Sequence, residues 1–161
     1  MAVDMFIKIG DIKGESVDAK HKEEIDVLAW SWGSSQSGTT HMGSGGGAGK
    51  VNVQDLSITK WVDKASPVLW KHLCTGTHIK ETTLIVRKAG GKPVEYIKLV
   101  LIDAIITSIS TGGSGGEDRL TENVTINFAK FKLDYVPQKE DGSGLPAVQM
   151  TWNIATNEEK V

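Results

Sequence analysis

The sequence predicts a mainly β chain: a single β-barrel domain, closed or nearly closed, of about seven or eight antiparallel strands with one short α-helix. Three observations carry this. Apolar residues recur mainly at every second position rather than at the helical period. The chain has one good helix start, Ser66-Pro67. Several strands are apolar on both faces, which a single open sheet with free edges would leave uncovered. The 161 residues fit one domain, residues 1–161. Area scaling at this mass leaves ~7,900 Å² exposed and buries roughly 69% of the unfolded surface, enough for a core without disulfides or zinc.

Each element has its own warrant. Met5, Ile7 and Ile9 alternate with Phe6 and Lys8 until Gly10-Asp11 turns the chain. In Glu23–Trp32, Ile25, Val27, Ala29 and Ser31 are expected on one face and Leu28, Trp30 and Trp32 on the other. Val51–Lys60 alternates only if the pleat breaks near Asp55. Ser66 is placed as N-cap and Pro67 as the first helical residue, with Val68, Leu69, Leu73 and Trp70 as the buried stripe and Gly76 as the stop. Ala89-Gly90-Gly91-Lys92-Pro93 separates a hairpin of Glu81–Lys88 and a strand from Val94. Val94–Thr111 is too long for one straight strand at ~3.3 Å per residue, and its consecutive apolar residues predict a bend near Asp103. Leu120–Tyr135 changes phase between Phe128 and Phe131, and Val148, Met150, Trp152 and Ile154 alternate as a last strand.

A formal net charge of −2 gives no electrostatic footprint for a polyanion, so nucleic acid is not the expected ligand. One cysteine, Cys74, excludes an intrachain disulfide and marks the cytoplasm as the folding compartment. No apolar run has the length of a signal peptide or a membrane span, so no membrane insertion is expected.

Glycine is the compositional anomaly, with 18 residues, many in the runs Gly43–Gly49 and Gly112–Gly116. Gly49-Lys50 does not make a phosphate loop, because Ser44 and Val51 stand where glycine and a hydroxyl residue are needed and a strand follows. Gly112, Ser114 and Gly116 have nucleophile-elbow spacing, but the elbow needs a following helix and a later histidine, and the last histidine is His78. His72 and Cys74 point to different helix faces, so with His78 they read as packing rather than a metal site. Asn123-Val124-Thr125 is a sequon in form, Glu23, Glu24, Asp26, Glu117 and Asp118 read as solvated acids, and Trp30 and Trp32 as core or interface anchors. No catalytic residue and no cofactor is expected. The rival is a monomeric barrel that binds a small apolar ligand.

The runs EEIDVLAWSWG (Glu23–Gly33), SQSG (Ser35–Gly38), GAGKVNVQDLS (Gly47–Ser57) and STGGSGGEDRLTENVTINFA (Ser110–Ala129), with the N-terminal MAVDMFIKIGDIKGES and Tyr135–Gly142, closely resemble the Hcp family, the haemolysin-coregulated proteins of bacterial type VI secretion systems. The resemblance implies a β-barrel subunit assembling into a hexameric ring. Such rings stack into the inner tube of a contractile machine with sheath, spike protein and baseplate as partners, and small secreted effectors bind in the lumen. It implies no enzymatic activity, and a protein that is cytoplasmic before firing and then secreted without a signal peptide. The chain's end at Val161 leaves no expected room for a fused toxin. On this reading Ser31 is the lumen candidate for effectors. The loop Thr39, Thr40, His41, Met42, Gly43, Ser44, Gly45, Gly46, Gly47, Ala48, Gly49 and Lys50 is the candidate for ring or stacking contacts.

Overall fold

The computed structural model describes residues 3–43 and 47–161. In chain order the elements are β1 (Val3–Ile9), β2 (Ile25–Ser31), β3 (Ser34–Ser35), β4 (Asn52–Val53), β5 (Leu56–Trp61), α1 (Ser66–Thr75), β6 (Ile79–Lys88), β7 (Glu95–Thr111), β8 (Thr121–Tyr135) and β9 (Val148–Asn153). The strands are hydrogen-bonded in the order β5-β2-β1-β6-β7-β8, and β5 pairs back onto β8 to close an antiparallel barrel. β9 extends the sheet beyond β8, and β3 and β4 pair only with each other.

Alternation explains the interior. Ile7, Ile9, Ile25, Leu56, Ile58, Leu84, Leu99, Leu101 and Ile126 are buried inside the barrel. These side chains fill it, so the apolar cup of the rival reading has no place there. The expected break near Asp55 separates β4 from β5. The expected bend in β7 occurs at Asp103, whose φ of 55° is left-handed. Leu99 and Leu101 face inward before it, Ala104 and Ile106 after it, and a bulge follows between Ile106 and Ser108.

Two sequence expectations are corrected. Ser66 is not the N-cap: Ala65 holds that position without a side-chain cap, and Ser66 is the first helical residue. The helix stripe is also narrower than expected, since Leu69 is buried and Leu73 packs on the core while Val68 and Trp70 are exposed. The reason for the first correction lies at the barrel's seam. Lys60 on β5 and Glu122 on β8 are register partners at inward positions and are 0% and 1% exposed. The Lys60 ammonium donates to a Glu122 oxygen, to the Trp61 carbonyl at 2.8 Å, to Asp63 Oδ1 at 3.0 Å and to Ser66 Oγ at 3.3 Å. Ser66 Oγ donates to the same Glu122 oxygen at 2.6 Å, and Asp63 Oδ1 accepts the Ala65 amide at 3.0 Å. The first turn of α1 is therefore held by a buried ion pair rather than by a capping hydroxyl.

The long connection between β1 and β2 crosses the outer face of β1 and β6. His21 stacks on Phe6 with centroids 4.5 Å apart, and its two ring nitrogens lie 2.7 Å from Glu24 and 2.6 Å from Glu95. Arg87 grips both Asp18 oxygens, at 2.6 and 3.1 Å, and also Asp4 at 3.1 Å. The Arg87 guanidinium holds the Asp18 carboxyl down at about 2, and the two carboxylates raise Arg87 further.

Two outcomes follow. Lys60→Met strands the Glu122 carboxylate in the core and costs about 3–5 kcal/mol in a denaturant melt, whereas Lys60→Met combined with Glu122→Leu recovers most of that loss. Asp18 is ionised in the fold down to about pH 2 but in the unfolded chain only above about pH 4. Its contribution to stability is thus whole above that range and disappears as pH falls toward 2. Thermal melts through this interval detect it as a component of acid destabilisation that Asp18→Asn removes.

Candidate functional site

The site begins with an irregularity in β2. Register with β5 runs Val27 to Lys60 and then Ala29 to Thr59, so Leu28 is an extra residue. The bulge reverses the pleat, correcting the expectation that Ile25, Val27, Ala29 and Ser31 share a face. Ile25 and Val27 point inward, Trp30 follows them against the core, and Leu28, Ala29 and Ser31 are exposed. Trp32 also joins the core, with its ring 5.0 Å from Phe131 and its Nε1 donating to the Gln54 carbonyl at 2.9 Å.

Ser31 then opens a row that crosses four strands. It faces Ser57 on β5, which faces Thr125 on β8, which faces Ser108 on β7. The adjacent row is Ala29, Thr59, Asn123 and Ser110. All eight are small and uncharged, and they lie on the side of the sheet away from the core. Their polar groups bond to each other: Thr59 Oγ1 donates to Asn123 Oδ1 at 2.7 Å, and the Ser108 and Thr107 hydroxyls lie 2.6 and 2.7 Å from Thr125 Oγ1. Asp55 stands at the margin, accepting from Thr107 at 2.7 Å and Asn127 at 2.8 Å. The eight residues of the two rows thus offer hydroxyls and one amide and carry no charge of their own, with the Asp55 carboxylate at their edge. Sequence reasoning named Ser31 as a candidate and none of the other residues of these rows. Alternation within Leu56–Trp61 and Thr121–Phe128 carried the signal, since Ser57, Thr59, Asn123 and Thr125 all fall at outward positions. The sequon residues Asn123 and Thr125 belong to this wall.

The glycine-rich loop is the end of a self-paired arm. β3 and β4 form its base, and Gly38 bridges to Ala48. The Thr39 amide donates to the Gly47 carbonyl at 3.1 Å, the Gly47 amide donates to Thr39 Oγ1 at 2.9 Å, and the Met42 amide turns back to the Thr39 carbonyl at 3.0 Å. Thr40, His41, Met42, Gly43, Ala48, Gly49 and Lys50 are exposed. Gly43, at φ 72°, takes a backbone conformation that a side chain would oppose. Ser44, Gly45 and Gly46 lie outside the described residues.

The remaining motifs separate. Ser114 lies on the connection between strands β7 and β8, and Lys50 leads into strand β4, so neither glycine run opens a helix. His72 and His78 line one groove, while Cys74 is exposed elsewhere on α1. Among the described residues no group of three or more His, Cys, Asp or Glu side chains could hold a metal, and no helix is long and apolar enough to cross a membrane. Tyr135, Leu145, Val148 and Met150 leave an exposed apolar strip along β8 and β9.

A barrel with a closed seam, an added outer strand and a self-paired arm defines a class found among known proteins. The family described as "Type VI secretion system effector, Hcp" matches residues 6–135. Protein hcp1 of Pseudomonas aeruginosa strain PAO1 is 62% identical over 160 residues, covering 98% of both chains. A solved structure of a type six secretion system protein superposes with a TM-score of 0.93 at 30% identity over 99% of this chain and 100% of that one. Hcp1 from Salmonella typhimurium gives 0.80 at 34% identity, again over 99% and 100%. The chain belongs to the Hcp family and is a tube subunit of a type VI secretion system.

Proposed function

We propose that this chain closes by head-to-tail contacts into a hexameric ring, that the rings stack into the inner tube, and that the Ser31 wall faces the lumen and holds small secreted effectors in transit. A contact between unlike patches closes into a ring when its rotation is a whole fraction of a turn. Surface area carries this reading. The isolated chain exposes 9689 Å² where a monomer of its mass would expose ~7,900 Å², an excess that assembly would cover. The β9 edge, with Val148, Met150 and Tyr135 beside it, supports a lateral contact between subunits. The arm that ends in Thr39–Lys50 supports an axial contact with the next ring, because among the described residues its strands β3 and β4 pair only with each other. The uncharged wall supports a lumen that passes proteins of either charge.

On this reading the protein acts without catalysis and without a cofactor. Its partners are its own copies, the sheath, the spike protein and baseplate, and the effectors, and it passes from the cytoplasm to the outside through the machine itself. Electron micrographs test it. The intact protein forms rings that stack, and deletion of residues 43–49 leaves rings that do not stack. Dispersed single subunits of the intact protein, or stacks unaffected by the deletion, would contradict the assembly proposed.

A further inference from the structure

The connection between β1 and β2, residues 10–24, is fastened to the barrel by two side-chain clusters. The pairings β5-β2-β1-β6-β7-β8, closed by β5 to β8, set the β1–β6 pair that it crosses opposite the β5–β8 seam. One fastening is Arg87 on β6, which donates to both oxygens of Asp18. The other is His21, whose side chain is 6% exposed and stacks on Phe6 of β1 with 16° between the ring planes. Its Nδ1 lies 2.7 Å from Glu24 Oε2 on the same connection, and its Nε2 lies 2.6 Å from Glu95 Oε1 at the start of β7.

An ionised carboxylate only accepts hydrogen bonds, so each of these contacts needs an N–H on the ring. A neutral imidazole has one N–H and would turn a bare lone pair toward the second carboxylate, whereas an imidazolium supplies both donors. The surrounding charges agree with the second form. The connection contributes Asp18 and Glu24, β1 contributes Asp4, β7 contributes Glu95, and β6 contributes Arg87, whose guanidinium carbon is 5.1 Å from the centre of the Phe6 ring. Asp26 on β2 is the register partner of Phe6, and burial raises its carboxyl from the ordinary value. Lys8, two positions along β1 from Phe6, makes no ion pair among the described residues. A charged His21 thus joins Arg87 as the second cation among these acids.

We infer that His21 is a pH-operated clip: with both ring nitrogens protonated it ties the β1–β2 connection to β7 through Glu95, and loss of one proton opens that tie. The Arg87–Asp18 fastening does not share this sensitivity near neutrality, because the guanidinium holds the Asp18 carboxyl down at about 2. As pH rises, the connection therefore goes from two fastenings to one while the barrel stays folded. Backbone hydrogen bonds within it report the change: the Gly14 amide donates to the Glu23 carbonyl at 2.8 Å, Ser16 to Glu24 at 3.0 Å, and Glu23 to Ser16 at 2.9 Å.

The test uses the purified full chain, labelled with ¹⁵N at histidine, between about pH 5.5 and 9, where ordinary carboxylates are ionised and ordinary lysines protonated. The other histidines are distinguishable, since His41 and His78 are exposed and His72 is half-buried on α1. At the acid end both His21 nitrogens carry protons, and as pH rises one is lost. Over the same interval hydrogen-exchange protection across residues 10–24, corrected for the intrinsic pH dependence of exchange, falls at least about tenfold, while protection of β8 holds. His21→Gln abolishes this pH response. Glu95→Gln, whose amide can meet either form of the ring, flattens it. A His21 ring whose protonation does not change over the interval, proton loss with unchanged protection, or a full pH response in either variant would overturn the inference.

Discussion

The buried pair of Lys60 and Glu122 sets the register on which the rest of the barrel depends. β5 and β8 are far apart in sequence, and their pairing converts a curved sheet into a closed one. Two charges inside a hydrocarbon core are tolerable only when they meet, so a slip of either strand leaves a buried charge without its partner. Because strand side chains alternate, a slip by one residue would also turn Leu56 and Ile58 toward solvent. The same register aligns Ser57 with Thr125 and Thr59 with Asn123. The interior ion pair therefore fixes the geometry of the exterior wall, and by holding Ser66 and Asp63 it fixes the start of α1 as well.

The bulge at Leu28 completes this arrangement. Without the extra residue, Ser31 would share the inward phase of Ile25 and Val27, and Trp30 would stand in solvent. With it, one strand contributes Trp30 to the core and Ala29 and Ser31 to the wall within three consecutive positions. Charge is distributed to match. The seam side carries hydroxyls and amides, and the opposite side carries the Arg87 and His21 clusters.

Much of the fold was legible in the sequence because alternation is a local signal. Met5, Ile7 and Ile9, the hairpin around Gly90-Gly91, and the run from Val148 to Trp152 each declare a strand without reference to a partner. Asp103 was legible for a related reason, since consecutive apolar residues cannot alternate without a kink. The bulge at Leu28 was not legible, because it exists only relative to Thr59 and Lys60 on another strand. Ser66-Pro67 carried a true helix signal, but the hydroxyl's partner lies 56 residues away, so local capping rules assigned it the wrong task. Lys60 read as the end of a strand although its phase matched Leu56 and Ile58. The phase was the available signal, and Glu122 in step with Val124 and Ile126 was its counterpart. The glycine excess was visible from composition, yet its self-pairing through Thr39 and Gly47 was not.

The central claim is that the seam-side wall lines the lumen while the β1–β6 side faces outward. It is tested most directly by labelling assembled tubes of a Cys74→Ser background, which removes the chain's exposed cysteine. Ser31→Cys and Lys80→Cys are each exposed to a bulky maleimide before and after assembly. Protection of the Ser31 position on assembly, with the Lys80 position reacting as fast as in dispersed subunits, is the predicted result. Unchanged labelling at Ser31, or protection at Lys80 instead, would contradict it.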